Sequence, residues 1–228
     1  MRKSAPVRFG SIRARPPLAM AGQKIGLLGG SFNPPHEAHR LISQIALRRL
    51  GLDQVWWIVT PGNPLKIGRD LMPLDERLAL CRTMARDNRI IVTAFEKHLA
   101  TTFTAATLGF LRLRHPATRF VWIMGADCLA EFHRWRQWRD IFATMPVAVI
   151  DRPGHHLGAL ASPAGRAMQS GRVAETRSRL ILQRRLPAWT FLTGPLSSIS
   201  STAIRATRGG LTKVAGGGGP RNFRTAAT

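Results

Sequence analysis

Two histidines follow two glycines within the stretch LGGSFNPPHEAHR at residues 28–40. The imidazoles of His36 and His39 can donate hydrogen bonds to phosphate oxygens. Gly29 and Gly30 lack a β-carbon, so the backbone there can turn sharply and a phosphate can approach it closely. The amides that open a following helix add the positive end of the helix dipole. The stretch therefore predicts an anion site at a strand-to-helix turn.

The spacing of these residues argues against several other sites. The chain contains neither the dinucleotide fingerprint GxGxxG nor the phosphate loop GxxxxGK followed by Ser or Thr. A zinc protease needs histidines at i and i+4, whereas His36 and His39 lie at i and i+3. Either histidine could instead serve the fold alone, as a helix cap or as a hydrogen-bonded core residue. We predict no metal held by protein side chains.

Short β-rich segments alternate with helical ones along the middle of the chain. Strands are predicted at 24–28, 54–60, 89–95, 119–124, 147–151 and 189–193. Helices are predicted at 38–50, 74–86, 104–114 and 135–142, where apolar residues recur at three- and four-residue spacing. Several strands are continuously apolar, which is typical of parallel strands buried on both faces. The pattern predicts an α/β fold with a doubly wound, mainly parallel sheet, whose ligands bind beyond the carboxyl ends of the strands.

Both ends of the chain differ in composition from this middle part. Residues 1–22 carry basic residues, no acidic residue and a Pro-Pro pair, so they are predicted to be a disordered basic leader. A start codon at Met20 would explain the same leader. Residues 209–228 are predicted to be a glycine-rich flexible tail. A single domain with flexible basic tails is therefore expected, at residues 23–208.

The charge is strongly positive, with 34 Lys and Arg against 12 Asp and Glu and a net of +22. Such a field attracts anionic partners. The two cysteines, Cys81 and Cys128, have no CxxC spacing, so neither a disulfide nor a thiolate zinc site is expected, and the cytoplasm is the predicted compartment. No apolar run is long enough to span a membrane, and no membrane partner is predicted.

Two motifs resemble those of a known superfamily. GGSFNPPHEAH at 29–39 is similar to the histidine signature of the nucleotidyltransferases, Gly-x-Phe-x-Pro-x-His-x-Gly-His. ISSTAIR at 199–205 resembles their second signature, ISSTx followed by an aliphatic residue and Arg. Further blocks resemble the bacterial nicotinate-nucleotide adenylyltransferases: TPGNPLK at 60–66, WIMGAD at 122–127 with FHRW at 132–135, and VIDRPG at 149–154. The likeness extends over 24–207 and implies a Rossmann-like nucleotidyltransferase fold.

The resemblance implies a reaction. The phosphate of nicotinate mononucleotide would attack the α-phosphorus of ATP in line, which gives nicotinate adenine dinucleotide and pyrophosphate in NAD biosynthesis. No protein nucleophile is required, so catalysis depends on positioning and charge stabilisation. Mg²⁺ is expected to be carried with ATP, with no dedicated protein site. Nicotinamide mononucleotide and phosphopantetheine are alternative acceptors.

The resemblance also implies roles for particular residues. His36, His39 and Arg205 are the expected catalytic residues. The expected ATP-binding residues are Gly29, Gly30, Ser31, Phe32, His36, His39, Ser200, Ser201, Thr202 and Arg205. The expected residues for the acceptor nucleotide are Asn63, Lys66, Thr104, Asp127 and Trp135.

Simpler interpretations stay open for several of these residues. The Ser-Ser-Thr run can be a helix cap, and Lys66 can be a solvated loop residue. Asp127 can be a helix N-cap. Trp135 and Trp138 have the i, i+3 spacing of an ordinary core stripe.

The chain departs from the family pattern at three positions. Ala38 replaces the glycine between the histidines and fits only if the backbone there is helical. Phe103 and Ala106 replace a tyrosine and an aspartate, so a phenol and a carboxylate are lost beside Thr104.

A basic nucleic-acid-binding protein is the alternative from another class. From Arg152 to the end, twelve basic residues accompany one acidic residue, Glu175. This composition suits phosphate backbones. No helix-turn-helix, zinc finger or RNA-recognition sequence is apparent, so ATP and nicotinate mononucleotide are the predicted partners and no specific nucleic acid is predicted. A homo-oligomer is left open.

Overall fold

The computed structural model describes residues 14–62, 71–99 and 103–194. Several predicted features lie outside these residues: the start of the leader, the tail at 209–228, Asn63, Lys66, Ser200, Ser201, Thr202 and Arg205. Their roles stay predictions.

Seven strands and seven α-helices make up the regular structure of the described residues. The strands are β1 Lys24–Gly30, β2 Gln54–Val59, β3 Ile90–Thr93, β4 Arg119–Gly125, β5 Val147–Ile150, β6 Arg172–Val173 and β7 Trp189–Leu192. The helices are α1 Glu37–Leu50, α2 Leu74–Ala85, α3 Thr104–Arg114, α4 Ala126–Glu131, α5 Trp138–Thr144, α6 His156–Leu160 and α7 Pro163–Ala167. Short 3₁₀ segments occupy Phe95–His98, Phe132–Arg134, Gln169–Gly171 and Glu175–Gln183.

The strands form one sheet in the order β3-β2-β1-β4-β5-β7-β6. Every neighbouring pair is parallel. From β1 the chain proceeds to β2 and β3 on one side, and from β4 it proceeds to β5, β6 and β7 on the other. The strand order therefore reverses between β1 and β4, where ligands bind in sheets of this kind. The predicted doubly wound parallel fold is confirmed.

Each face of the sheet carries its own apolar core. Helices α1 and α2 and the segment Glu175–Gln183 cover one face, and helices α3 to α7 cover the other. The adjacent residues Trp56 and Trp57 of β2 are both fully buried and point to opposite faces. A strand that is buried on both faces has a continuous run of apolar residues, and this run is why β2 could be predicted from the sequence.

The helix predicted at 135–142 begins later, at Trp138. Residues Phe132–Arg134 form a 3₁₀ turn, and Gln137 has a φ of 56°, a left-handed conformation that interrupts any continuous α-helix from Trp135. Trp135 and Trp138 therefore do not share one helix, although both pack into the core under α3 to α7, as the interpretation of the pair as core residues expects. Trp135 is half-buried in the loop between the two elements.

Part of the basic leader contacts the domain. Residues 14–20 have no helix or strand, yet Ala14 is 7% exposed and belongs to the core under α3 to α7. The Gly22 amide donates to the carbonyl of Ala117 at 2.8 Å. The domain boundary at residue 23 stays a prediction.

Within residues 14–62, 71–99 and 103–194, no helix combines the length and the apolar character needed to cross a bilayer.

Candidate functional site

The loops at the carboxyl ends of β1, β4 and β5 bring together four polar side chains. His36 and His39 follow β1, Asp127 follows β4, and Arg152 follows β5. The site therefore lies at the reversal of strand order, as the fold predicts.

The turn after β1 differs from the sequence prediction. Gly29 and Gly30 are the last residues of β1 and continue the strand, so the prediction that they form the sharp turn was wrong. The positive φ falls on Phe32, at 46°. At Gly29 a β-carbon would lie 2.4 Å from Cη2 of Trp122, so the absence of a side chain makes room for that ring. At Gly30 a β-carbon would meet only ordinary contacts.

The two histidines are linked at the start of α1. His36 occupies the N-cap position with extended backbone, and its amide donates to Nδ1 of His39 at 3.2 Å. This contact leaves Nε2 as the protonated, donating nitrogen of a neutral His39. Ala38, between them, is helical and 2% exposed, so the alanine fits as predicted.

Contacts between rings hold the two imidazoles in place. The ring centroids of His36 and His39 are 3.9 Å apart, and the Phe32 ring lies 4.5 Å from His39 and 5.1 Å from Trp57. Nε1 of Trp57 donates to Oγ of Ser43 at 2.8 Å, and that hydroxyl donates to the His39 carbonyl at 2.8 Å. The histidines are therefore held before any ligand binds.

Burial keeps both imidazoles neutral. It lowers the pKa of His36 to about 4, with a further lowering by the positive charge of Arg152 and an opposing effect of Asp127. Burial also lowers the pKa of His39 well below its usual range, and the nearby His36 and Arg152 add to this effect. At neutral pH the two rings are uncharged N–H donors, and Arg152 supplies the positive charge of the site.

Asp127 is the second residue of α4, whose N-cap is Gly125. The interpretation of Asp127 as an N-cap was therefore wrong. Its Oδ2 lies 3.7 Å from Nε of Arg152, whose side chain is only 12% exposed. Sequence reasoning did not assign a role to Arg152, although the VIDRPG block places it directly after a strand.

Three of the buried polar atoms without a hydrogen-bond partner lie at this edge of the sheet. In the described part of the chain they are Nδ1 of His36, Oγ1 of Thr60 and Oδ1 of Asp127. These residues follow β1, β2 and β4, respectively. Because an unpaired buried polar atom is costly, such atoms point to a missing partner. A ligand rich in oxygens and hydroxyls would supply it.

Arg77 joins the loops around the site. Arg77 is 1% exposed, and its guanidinium donates hydrogen bonds to four backbone carbonyls. Nη1 donates to Ser31 at 2.7 Å and to Thr60 at 2.8 Å, Nη2 to Pro61 at 3.2 Å, and Nε to Met72 at 2.9 Å. These carbonyls belong to the loops after β1 and β2 and to the residues before α2. Nothing in the sequence distinguishes Arg77 from a solvated helix arginine.

Two segments of the predicted acceptor region lie side by side. Thr104 is the first residue of α3, and the guanidinium of Arg136 lies 4.5 Å from the centroid of the Phe103 ring. Trp135 packs against Phe132, with ring centroids 5.0 Å apart. The contact between Phe103 and Arg136 brings the segments that carry Thr104 and Trp135 together. Their roles in binding stay predictions.

A buried carboxyl lies beside this region. Glu96 is 5% exposed, and its Oε1 accepts a hydrogen bond from Oγ1 of Thr107 at 2.6 Å, while Oε2 is buried with no partner in the described residues. Burial raises the pKa of Glu96 from 4.5 to about 7, and the hydrogen bond from Thr107 opposes this shift.

Replacing Glu96 by glutamine should remove the pH dependence that this carboxyl gives to the free energy of unfolding. Between pH 4.5 and 7 the unfolded chain releases a proton that the folded protein retains, so the free energy of unfolding falls as pH rises through this window, by about 3 kcal/mol. The amide cannot ionise and avoids this loss. Thermal unfolding should show similar Tm values for parent and variant near pH 4.5, and a variant Tm roughly 6–12 °C higher at pH 8. Glu76→Gln, at an exposed position of α2, is the control that should follow the parent. An equal difference in Tm at both pH values would contradict the assignment.

Cys81 and Cys128 form no disulfide bond, and burial raises the pKa of Cys81 to about 12. Among the residues that the structure describes, no three His, Cys, Asp or Glu side chains group together as a metal site.

Comparisons with known proteins connect this geometry to a family. The model of the family described as cytidylyltransferase-like matches residues 27–207. A relative from Rhizobium meliloti (strain 1021), named probable nicotinate-nucleotide adenylyltransferase, is 56% identical over 186 residues, covering 82% of this chain and 99% of the relative. A relative of the same name from Brucella abortus (strain 2308) is 52% identical over 181 residues, covering 79% and 93%.

A solved structure shares the fold. Plasmodium falciparum nicotinic acid mononucleotide adenylyltransferase complexed with NaAD is similar with a TM-score of 0.60 at 18% identity. The alignment covers 81% of this chain and 83% of that chain. At this identity the likeness supports the fold alone.

Proposed function

The chain belongs to the cytidylyltransferase-like family, and from that premise we propose that it transfers the adenylyl group of ATP to nicotinate mononucleotide. The products are nicotinate adenine dinucleotide and pyrophosphate, so the protein is a nucleotidyltransferase of NAD biosynthesis. The resemblance inferred from the sequence is confirmed by the relatives that carry this activity in their names. The observation that carries the proposal is the pair of neutral imidazoles, His36 and His39, which contact each other beside Arg152.

The reaction needs positioning and charge stabilisation. A phosphate oxygen of nicotinate mononucleotide attacks the α-phosphorus of ATP, and the bond from that phosphorus to pyrophosphate breaks in line. His36 and His39 donate N–H groups to the phosphate oxygens on which charge develops, and Arg152 adds a positive charge at the same place. Because the imidazoles are fixed before binding, little reorganisation opposes the step.

The motif at 199–205 completes the triphosphate site in this proposal. Ser200, Ser201 and Thr202 bind the phosphates through hydroxyls and amides, and the guanidinium of Arg205 acts beside the histidines. Lys66 and Asn63, which follow β2 in the sequence, contact the substrates in this proposal.

ATP enters as its Mg²⁺ complex in this proposal. Mg²⁺ takes oxygen ligands and is often bound by one or two carboxylates together with substrate phosphates. Oδ1 of Asp127, which has no hydrogen-bond partner in the described residues, is a carboxylate oxygen that fits such an ion, and no dedicated protein site is needed. The bound ion neutralises phosphate charge.

The acid mononucleotide is the preferred acceptor in this proposal. Arg136 places a positive charge beside the segments that carry Thr104 and Trp135, where the half-buried Trp135 ring can stack on a pyridine. A carboxylate gains from this charge, whereas a carboxamide gains much less.

Initial rates with three acceptors test the function. We expect kcat/KM for nicotinate mononucleotide at least tenfold above that for nicotinamide mononucleotide or phosphopantetheine, because a charge-assisted hydrogen bond contributes roughly 1.5–3 kcal/mol. Pyrophosphate release from ATP in the same preparation is the measurement. Equal or better use of phosphopantetheine would overturn the acceptor while leaving adenylyl transfer standing.

The cytoplasm is the proposed compartment of the enzyme, and a homo-oligomer is left open. Filter binding to DNA at physiological salt separates the enzyme from the nucleic-acid-binding alternative.

A further inference from the structure

A second cavity lies at the β6 edge of the sheet. Its volume is about 450 Å³, within the range of about 300–1,000 Å³ that ligand pockets commonly have. Arg172, Arg177, Arg184 and Arg185 line it, and its other lining residues are uncharged. We call this space the arginine cavity.

The four arginines have no acidic partner in the described part of the chain. None of them lies within ion-pair distance of a carboxylate there, whereas Arg49 pairs with Glu175 at 2.7 Å. Glu175, the acidic residue of the adjoining 3₁₀ segment, is further engaged by Thr193. Like charges around one space repel each other, and a bound anion removes that cost.

The wall of the arginine cavity is firmly packed. The guanidinium of Arg172 lies 5.5 Å from the centroid of the Trp189 ring, and Nε1 of that indole donates to the Met168 carbonyl at 2.7 Å. Gly171 lies so close to Pro187 that a β-carbon would be 2.4 Å from the Pro187 carbonyl oxygen. One side of the cavity is therefore built on β6, while Arg184 and Arg185 lie in the connection between Glu175–Gln183 and β7.

The arginine cavity is separate from the adenylyl-transfer site. β6 is four positions from β1 in the strand order, which corresponds to about 19 Å at the usual strand spacing. Gly171 and Pro187 precede β6 and β7, so this part of the lining lies at the amino ends of the strands. His36 and Asp127 lie at the carboxyl ends.

We propose that the arginine cavity is a second binding site, for an oligophosphate group. Guanidinium groups match phosphate oxygens in a bidentate geometry. Four guanidinium groups around one space exceed what a single phosphate needs, and several linked phosphates match this charge. The concave shape favours a small molecule over an extended nucleic-acid backbone. Inorganic tripolyphosphate and the triphosphate of a nucleotide share this chemistry.

Calorimetric titration of the full chain with tripolyphosphate at physiological salt tests the site. The cavity variant is Arg184→Gln/Arg185→Gln, and the control is Arg112→Gln/Arg114→Gln, which removes the same charge from exposed positions of α3. In the cavity variant we expect one fewer tripolyphosphate per chain, or a site at least tenfold weaker. The control should keep the stoichiometry of the parent, and both variants should keep the parent's kcat.

Three results would overturn the proposal. One is the same stoichiometry and affinity in all three proteins. Another is an equal weakening in both variants, which would mean attraction by net charge alone. The third is a cavity variant that loses affinity for a short DNA duplex and not for tripolyphosphate.

Arg177→Gln should reproduce the cavity variant's weakening, and a parallel titration with ATP distinguishes a nucleotide from free oligophosphate. The test compares tripolyphosphate binding by the variants with binding by the parent, so its result does not depend on which acceptor the enzyme uses.

Discussion

Replacing His36 by alanine lowers kcat for adenylyl transfer by about 10²–10³, or about 3–4 kcal/mol, the scale of a lost preorganised donor. The neutral ring meets phosphate oxygens as their charge grows in the transition state, so KM for ATP changes much less than kcat. Steady-state kinetics with ATP and nicotinate mononucleotide give both constants. The reverse pattern, a raised KM with normal kcat, would indicate ground-state binding.

Two comparisons make this result specific. His155→Ala, at an exposed histidine, should leave kcat near the parent value. His39→Ala should resemble His36→Ala, and the double variant should lose less than the sum, because the rings are 3.9 Å apart and serve one triphosphate. Each protein must melt near the parent's temperature, so that a weakened helix start is not taken for lost catalysis. A well-folded His36→Ala enzyme with near-normal kcat would contradict the catalytic role.

Replacing Arg77 by methionine should destabilise the protein by about 5 kcal/mol, because it leaves four partly buried carbonyls without their donor. Lysine should rescue only part of this loss, since an ammonium cannot reproduce the planar fork. Urea unfolding measures the effect, and Arg82→Met, at an exposed position of the same helix, is the control. A free energy of unfolding for Arg77→Met within about 1 kcal/mol of the parent's would show that other groups donate hydrogen bonds to these carbonyls.

Most of the sheet could be predicted from the sequence because its strands are buried on both faces. Continuous apolar runs marked β1, β2, β4 and β5, and their helices follow with clear periodicity. β6 was missed, since it has two residues and begins with the exposed Arg172. α4 was missed because it begins directly after β4, without turn residues between them.

The site could be predicted only in part. The histidines stand in a recognisable motif, and helical backbone at Ala38 followed from its side chain. The roles of Arg77 and Glu96 depend on which side chains the fold encloses, and a charged residue in a sequence carries no sign of its burial. The sequence does carry a signal for Arg152, namely its position directly after a predicted strand.

The contact between Gly29 and Trp122 has an evolutionary consequence. A methyl group at position 29 would occupy the space of the indole ring, so position 29 can gain a side chain only if position 122 first loses part of its own. The dependence runs in one direction, because a smaller residue at position 122 leaves Gly29 free of any clash. Among related sequences, we expect alanine or a larger residue at position 29 only where position 122 holds a smaller side chain than tryptophan.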